Sequence, residues 1–169
     1  QPNQFVISPI HMPLLKADML EQLLQKKIIA IAFDSIKDDA GTYPIVRSMS
    51  EIAGNTAILN AAKYLSNVHQ GKGILLGGIT GIPPARVVIL GAGVVGEYAA
   101  RAAIGLGAVV KVFDNSIYRL MRLQNNVGQR VFTSVLEPVT LAEELATADV
   151  VVGALKPING ITPVVVTDD

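Results

Sequence analysis

Apolar positions along this chain fall into two rhythms: short unbroken runs, and stretches that repeat every three or four residues. Residues 4–8 ("QFVIS") and 28–33 ("IIAIAF") are runs of the first kind, and the second has the pattern of a strand covered on both faces. Between them Ala17, Leu20, Leu23 and Leu24 keep helical spacing, which predicts a helix over residues 17–27 with one buried face. Strand, helix and strand make one parallel crossover, a connection that is nearly always right-handed. Residues 37–46 ("KDDAGTYPIV") predict an exposed turn. Ser48 and Glu51 then have capping-box spacing, so a helix of about fifteen residues is expected to start there. Its buried face would comprise Ile52, Ile58, Leu59, Ala62 and Leu65, and it is the candidate bridge between two domains.

Five glycines and a closing Pro-Pro make "GKGILLGGITGIPP" (71–84) impassable to a helix. It predicts a lead-in loop with a short extended segment at residues 74–76. A strand (87–90), a glycine turn (91–96), a helix (97–107) packed through Tyr98, Ala99, Ala102 and Ala103, and a strand (109–113) follow. Then come a helix at "SIYRLMRLQNNV", with Ile117, Leu120 and Leu123 on one face, and a strand at "RVFTS". A helix at "TLAEELATA", a strand at "DVVVGAL" (149–155) and one more short extended segment at "TPVVVT" complete the chain. This alternation predicts the α/β class with a Rossmann-like, doubly wound parallel sheet. A complete dinucleotide sheet has further strands. Together with the start at Gln1 close to a strand, their absence sets the expectation that these 169 residues are a piece of a longer protein.

Composition narrows function mainly by exclusion. Apolar runs reach only four to seven residues, against the ~20 needed to cross a bilayer. Fourteen basic and fourteen acidic side chains cancel, with no basic stripe, so neither a membrane nor a nucleic-acid partner is expected. Zero cysteine excludes disulfides, thiolate catalysis and Cys-based metal sites. It fits a reducing cytoplasm, the expected location, and no metal site is expected. The N-terminus "QPNQF" has no signal-peptide pattern.

The chemistry concentrates at "VVILGAGVVGEYAARAAIGLGAVVKVFDN" (87–115), a strand, turn, helix and strand ending on an acid. In a dinucleotide reading, Gly91 permits the tight turn, Gly93 lets a pyrophosphate approach the backbone, and Gly96 lets helix and strand pack closely. Val94 and Val95 complete the turn, and the helix start offers unpaired N–H groups. The dipole contributes only about 0.3–1 kcal/mol at an exposed site, so direct amide hydrogen bonds must carry most of the binding. Asp114 stands eighteen residues beyond Gly96, near the remove of about twenty at which an acid binds the adenosine ribose. A carboxylate there repels a 2′-phosphate and favours NAD over NADP. Arg119, one turn further, is a basic group that can pair with a phosphate, but Asp114 holds the strand-end position. Ser50 would lie in the first turn of the capped helix, where free amides attract an anion, unless both serines merely cap. His11 follows the first strand at the carboxyl edge, where open α/β sheets bind ligands; taken alone, it reads first as a loop histidine without chemistry.

"SMSEIAG", "GKGILLGGITGIPP", "VVILGAGVVGEYAARAAIGLGA" and "VKVFDNS" together resemble the superfamily of alanine dehydrogenase and the proton-translocating transhydrogenase α-subunit. The likeness spans essentially the whole chain and is greatest to the alanine dehydrogenase branch. It implies two Rossmann-like domains with an active site in the cleft between them. Residues 1–49 would be part of the substrate domain and 50–169 the NAD-binding domain. The implied reaction interconverts L-alanine with pyruvate and ammonia using NAD, in a homo-oligomer that is commonly a hexamer. "SPIHMPLL" makes His11 the catalytic histidine, binding the pyruvate carbonyl and exchanging a proton, a role that suits an imidazole near neutral pH. The cofactor residues carried over are Ser50 at the pyrophosphate, Gly91, Gly93, Val94, Val95 and Gly96 in the turn, Asp114 on the ribose, Arg119 beside the adenosine and Leu155 by the inner ribose. Leu136 departs from the small polar residue that many relatives carry near the adenine. His69 matches nothing and reads as a solvated loop residue. The family's carboxylate-binding Arg and Lys and its second catalytic acid fall outside residues 1–169, so this stretch is expected to hold NAD weakly without turnover. The alternatives are a transhydrogenase α-subunit-like hydride-transfer module and a non-catalytic NAD-binding module.

Overall fold

The computed structural model describes residues 2–11, 15–157 and 161–167; residues 12–14 of the segment bearing His11 lie outside them. Two compact units divide the chain, Gln1–Met49 and Ser50–Asp169.

In the first unit β1 (Phe5–Ser8) and β2 (Ile29–Ala32) pair in parallel, Phe5 opposite Ile29 and Ser8 opposite Ala32. Helix α1 (Ala17–Gln25) joins them, and a 3-10 turn at Phe33–Ser35 follows β2. The crossover is as expected, but its burial is not. Ile29 and Ile31 of β2 are exposed, as are Leu20 and Leu24 of α1, while Leu23 is half-buried. Two strands and one helix cannot cover both faces of a sheet, so the apolar face of α1 and the run in β2 stay open within this unit.

Helix α2 (Pro44–Leu65) is 22 residues long and starts one turn before the expected capping box. Proline suits the first helical position, where its missing N–H has no intrahelical partner in any case. The Arg47 amide accordingly donates to the Tyr43 carbonyl at 2.8 Å. Ser48 is therefore inside the helix, its hydroxyl donating to the Pro44 carbonyl at 3.0 Å rather than capping. The turn ahead of it is held by Asp38, whose Oδ1 accepts from the Thr42 amide at 2.8 Å.

The buried face of α2 also differs from the expectation. Gly54, Ile58 and Leu65 are buried and Ala62 packs against the core, while Ile52 and Leu59 are 65% and 60% exposed. Gly54 explains the rotation. A Cβ there would stand 2.4 Å from the Val95 carbonyl oxygen and 2.8 Å from the Ala99 nitrogen, both in the next helix. The bare glycine lets the two helix backbones approach, which turns Ile58 inward and Ile52 outward.

The second unit holds a four-stranded, all-parallel sheet of β3 (Arg86–Leu90), β4 (Val109–Phe113), β5 (Phe132–Ser134) and β6 (Val150–Gly153). Its order is β5-β4-β3-β6, with Leu90 opposite Phe113 on one side and Gly153 on the other. Helices α3 (Val94–Gly105), α4 (Ile117–Val127) and α5 (Pro138–Ala146) connect the strands. Alternation along β3 sorts its side chains by face. Val87 and Ile89 join Ile58, Ala99, Ala103 and Leu123 in one core cluster, while Val88 and Leu90 join Phe113 and Leu141 in another. Helices thus cover both faces, and the unit is a Rossmann-like, doubly wound α/β fold.

One local expectation is corrected. Ile117 is exposed, leaving Leu120 and Leu123 as the buried face of α4. Residues 74–76 lie in the lead-in loop outside the sheet, and the Gly73 amide donates to the Leu65 carbonyl at 2.8 Å. Residues 162–167 likewise lie outside the sheet, and Val165 packs on the second core cluster. Among the described residues no helix is long and apolar enough to cross a membrane.

Two outcomes follow from this packing. Gly54→Ala forces backbone against backbone and is expected to lower stability by about 1–3 kcal/mol, measured by urea unfolding. At the start of α5 the Glu137 carboxylate accepts from the Thr140 amide at 2.8 Å, the Val139 amide at 3.1 Å and the Thr140 hydroxyl at 2.8 Å. These bonds, the Thr140 amide first, hold its pKa below the ordinary carboxylate value. The stabilisation is therefore full above that ordinary value and is lost as pH falls through the lowered one. Glu137→Gln should flatten this acid limb in a plot of melting temperature against pH.

Candidate functional site

The strand order reverses at β3: one connection leads to β4, and the chain later returns to β6 on the opposite side. Open α/β sheets bind ligands outside the carboxyl ends of the strands at such a switch point. Here that edge carries the glycine turn after β3, Asp114 after β4 and Leu155 after β6.

The turn is tightly held. Gly91 has φ +112°, and its amide donates to the Phe113 carbonyl at 2.6 Å. A Cβ on it would lie 2.4 Å from the Ala154 carbonyl oxygen and 3.1 Å from the Leu155 nitrogen. That contact places the chain after β6 directly beside the turn. A Cβ on Gly96 would stand 1.8 Å from the Gly91 carbonyl oxygen, so this glycine seats α3 against the end of β3. Gly93 is the N-cap of α3, and nothing lies within 4 Å of the Cβ it lacks. The helical ladder begins with the Glu97 amide donating to the Gly93 carbonyl at 2.9 Å. The amides of residues 93–96 therefore lie ahead of it. Gly93, Val94 and Val95 are half-buried.

Asp114 is buried, at 5% exposure. Its Oδ2 accepts from the Ala92 amide at 2.8 Å and its Oδ1 from the Ser116 amide at 2.7 Å. Arg119 Nη1, half-exposed, stands 3.6 Å from Oδ2. A carboxylate has about four acceptor positions, so this one keeps capacity for further donors. Leu136 lines an apolar groove with Leu141, Leu145 and Val165, and its amide donates to Asn115 Oδ1 at 3.1 Å.

Ser50 does not lie in the first turn of α2; it is the seventh residue of that helix. Its amide is beyond the four that a helix leaves open, so the anion attraction expected from free amides does not apply. It does stand one turn before Gly54, on the helix face that meets the start of α3.

His11 belongs to the first unit. Its φ is +46°, and its amide donates to Asp34 Oδ2 at 3.1 Å, while the Ile10 amide donates to Oδ1 at 3.3 Å. The imidazole is 73% exposed, with Nδ1 4.0 Å from Asp34 Oδ2. His69 is exposed in the 3-10 turn Asn67–His69, its ring edge-on to Tyr64 at 6.3 Å between centroids.

Several partners had escaped sequence reasoning. Asp34 has the same kind of position as Asp114, just after a strand, and that was the signal available. Glu97, in the first turn of α3, is buried, and its Oε1 accepts from Asn126 Nδ2 at 3.0 Å. Arg101 and Arg122 flank its carboxylate at 3.6 and 3.7 Å.

The family model described as "Alanine dehydrogenase/PNT, C-terminal domain" matches residues 57–169. The chain belongs to the alanine dehydrogenase/PNT family. The alanine dehydrogenase of Bilophila wadsworthia is 37% identical over 150 residues, covering 89% of this chain and 40% of that protein. That of Methanococcus maripaludis is 37% identical over 151 residues, with the same coverages. A solved L-alanine dehydrogenase superposes with a TM-score of 0.81 at 34% identity, covering 94% of this chain and 45% of the other. The transhydrogenase of Sinorhizobium meliloti, at 21% identity and TM-score 0.68 over 90% of this chain and 45% of its own, shares the fold. The chain thus spans less than half the length of these family members.

Removing the Asp114 carboxylate would strip the Ala92 and Ser116 amides of their acceptor. Asp114→Ala is expected to lower stability by about 1–3 kcal/mol even without any ligand. Chemical denaturation of the ligand-free protein measures this.

Proposed function

We propose that this chain holds NAD on the turn after β3 and serves the reversible oxidative deamination of L-alanine to pyruvate and ammonia. The similar proteins are alanine dehydrogenases, and one observation carries the cofactor half of the reading. Gly93 has φ −72°, which any residue adopts, and open space where its Cβ would be. Neither backbone nor packing calls for glycine there, whereas a diphosphate resting on the turn does. Gly91 and Gly96 are needed by the protein itself; Gly93 is needed by a ligand.

In this reading the amides of residues 93–96, with Val94 and Val95 at the helix start, donate to the diphosphate, and the Ser50 hydroxyl faces the same group. Asp114 offers its remaining lone pairs to the adenosine ribose, Arg119 stands beside the adenosine, Leu136 by the adenine and Leu155 by the inner ribose. Residues 50–169 act as the NAD-binding domain and 1–49 as part of the substrate domain, within a homo-oligomer. NAD, when bound, supplies the hydride acceptor. His11 binds the substrate carbonyl oxygen and exchanges a proton with it, while Asp34 holds its backbone and faces Nδ1, leaving Nε2 for the substrate. The family resemblance puts the carboxylate-binding groups outside residues 1–169, so the purified chain should bind NAD without alanine-dependent formation of reduced nicotinamide, read by absorbance.

Calorimetric titration with NAD and NADP tests the cofactor assignment. NAD should bind more tightly than NADP, because a buried carboxylate at the ribose repels a 2′-phosphate. Gly93→Ala should leave the melting temperature nearly unchanged yet weaken NAD roughly tenfold or more, since its methyl group would occupy the ligand's space. A Gly93→Ala protein that binds NAD as tightly as the parent would sink the proposal.

A further inference from the structure

Arg122 lies on α4, distant in sequence from the glycine turn, yet its guanidinium reaches into it. Nη2 donates to the Ala92 carbonyl at 3.1 Å, while Nε faces Glu97 Oε2 at 3.7 Å. The Glu97 carboxylate is 5% exposed and is itself fixed by the Asn126 amide group. We propose that Arg122, held by Glu97, is a positioning residue that aims the Gly93 amide at the cofactor diphosphate.

The reasoning rests on peptide planarity. The Ala92 carbonyl and the Gly93 N–H belong to one trans peptide unit, so they point in opposite directions. Anchoring the carbonyl on Arg122 therefore sets where the Gly93 N–H points. The preceding peptide is anchored as well, because the Ala92 amide donates to Asp114. A glycine-flanked turn without these anchors can rotate its peptide planes cheaply, since Gly91 and Gly93 resist little. With them the amide is preset before the ligand arrives, and preorganised donors lose less entropy on binding. Glu97 keeps the guanidinium from swinging into solvent, and Arg122 shares with Arg101 the pairing that this buried carboxylate of α3 requires. An arginine suits the task because its rigid planar fork presents two separated nitrogens, Nε and Nη2, to two partners set apart, which the single nitrogen of an ammonium does not.

This inference rests on the NAD reading above, and the test separates the two. The intact chain and its Arg122→Met, Arg122→Lys, Glu97→Gln and Glu97→Gln/Arg122→Met variants are titrated with NAD by calorimetry. Amide resonances of the ligand-free proteins are recorded alongside. Arg122→Met should weaken NAD roughly tenfold, the scale expected for losing a charge-assisted hydrogen bond that presets a donor. It should also move the Gly93 and Val94 amide signals while those of β4 stay in place, which global loosening would not do. Arg122→Lys should remain within about twofold of Arg122→Met, because the charge survives but the fork does not. Glu97→Gln should weaken NAD by about threefold, and the double variant should be no worse than Arg122→Met alone, because Glu97 acts through Arg122. If the parent chain takes up no NAD, the cofactor reading falls and this inference with it. If the parent binds and Arg122→Met binds equally well, or Arg122→Lys restores full affinity, this inference alone is overturned. Should Arg122→Met fail to fold, the Glu97→Gln and Arg122→Lys titrations decide: full affinity in either overturns it, and the stated losses in both support it.

Discussion

The Asp114 carboxylate ties the end of β4 to the start of the turn after β3, through the Ala92 amide on one oxygen and the Ser116 amide on the other. Adjacent parallel strands deliver their ends to the same edge of the sheet, but nothing in strand pairing fixes the loops that leave them. A buried acceptor shared between two loops supplies that constraint. Because the group is buried, its two amide donors cannot be lost without leaving carboxylate oxygens short of donors and N–H groups stranded. Arg119 and the neighbouring Arg122–Glu97 pair extend the same lock outward.

The smaller unit uses the same device. Asp34, just after β2, accepts from the Ile10 and His11 amides in the loop after β1. In both units the acid beyond the second strand of a crossover pins the loop beyond the first. In one unit the pinned loop is a glycine turn that opens a helix; in the other it presents a histidine in a left-handed conformation. Holding a left-handed non-glycine residue requires outside support, and two hydrogen bonds to one carboxylate provide it.

Close backbone approach is the second organising feature. Gly96 brings α3 onto the end of β3, and Gly54 brings α2 onto α3. The first contact is the one a dinucleotide fingerprint leads one to expect. The second lies in a segment whose periodicity suggests a different buried face. Apolar residues occupy both sides of α2, so spacing alone does not choose between them. The steric demand at Gly54 chooses, and Ile58 turns inward while Ile52 and Leu59 turn out.

Local chemistry in the sequence was enough to mark the strands and helices of the parallel sheet, the glycine turn and the strand-end acid. Each of these depends on neighbours a few residues away: period-two or helical spacing, a missing Cβ, an acid after an apolar run. Helix boundaries were less legible, because Pro44 and Ser48 both carry start signals and only the whole helix shows that proline prevails. The ties among Asp114, Ala92, Arg122, Glu97 and Asn126 join residues about 20–30 positions apart and left no periodic trace. They exist because the sheet order brings the ends of β3, β4 and β6 together and sets α4 against α3. Sequence by itself determined which pieces are strand, helix and turn; tertiary structure decided which polar groups meet, since long-range hydrogen bonds depend on where the packed core puts their partners.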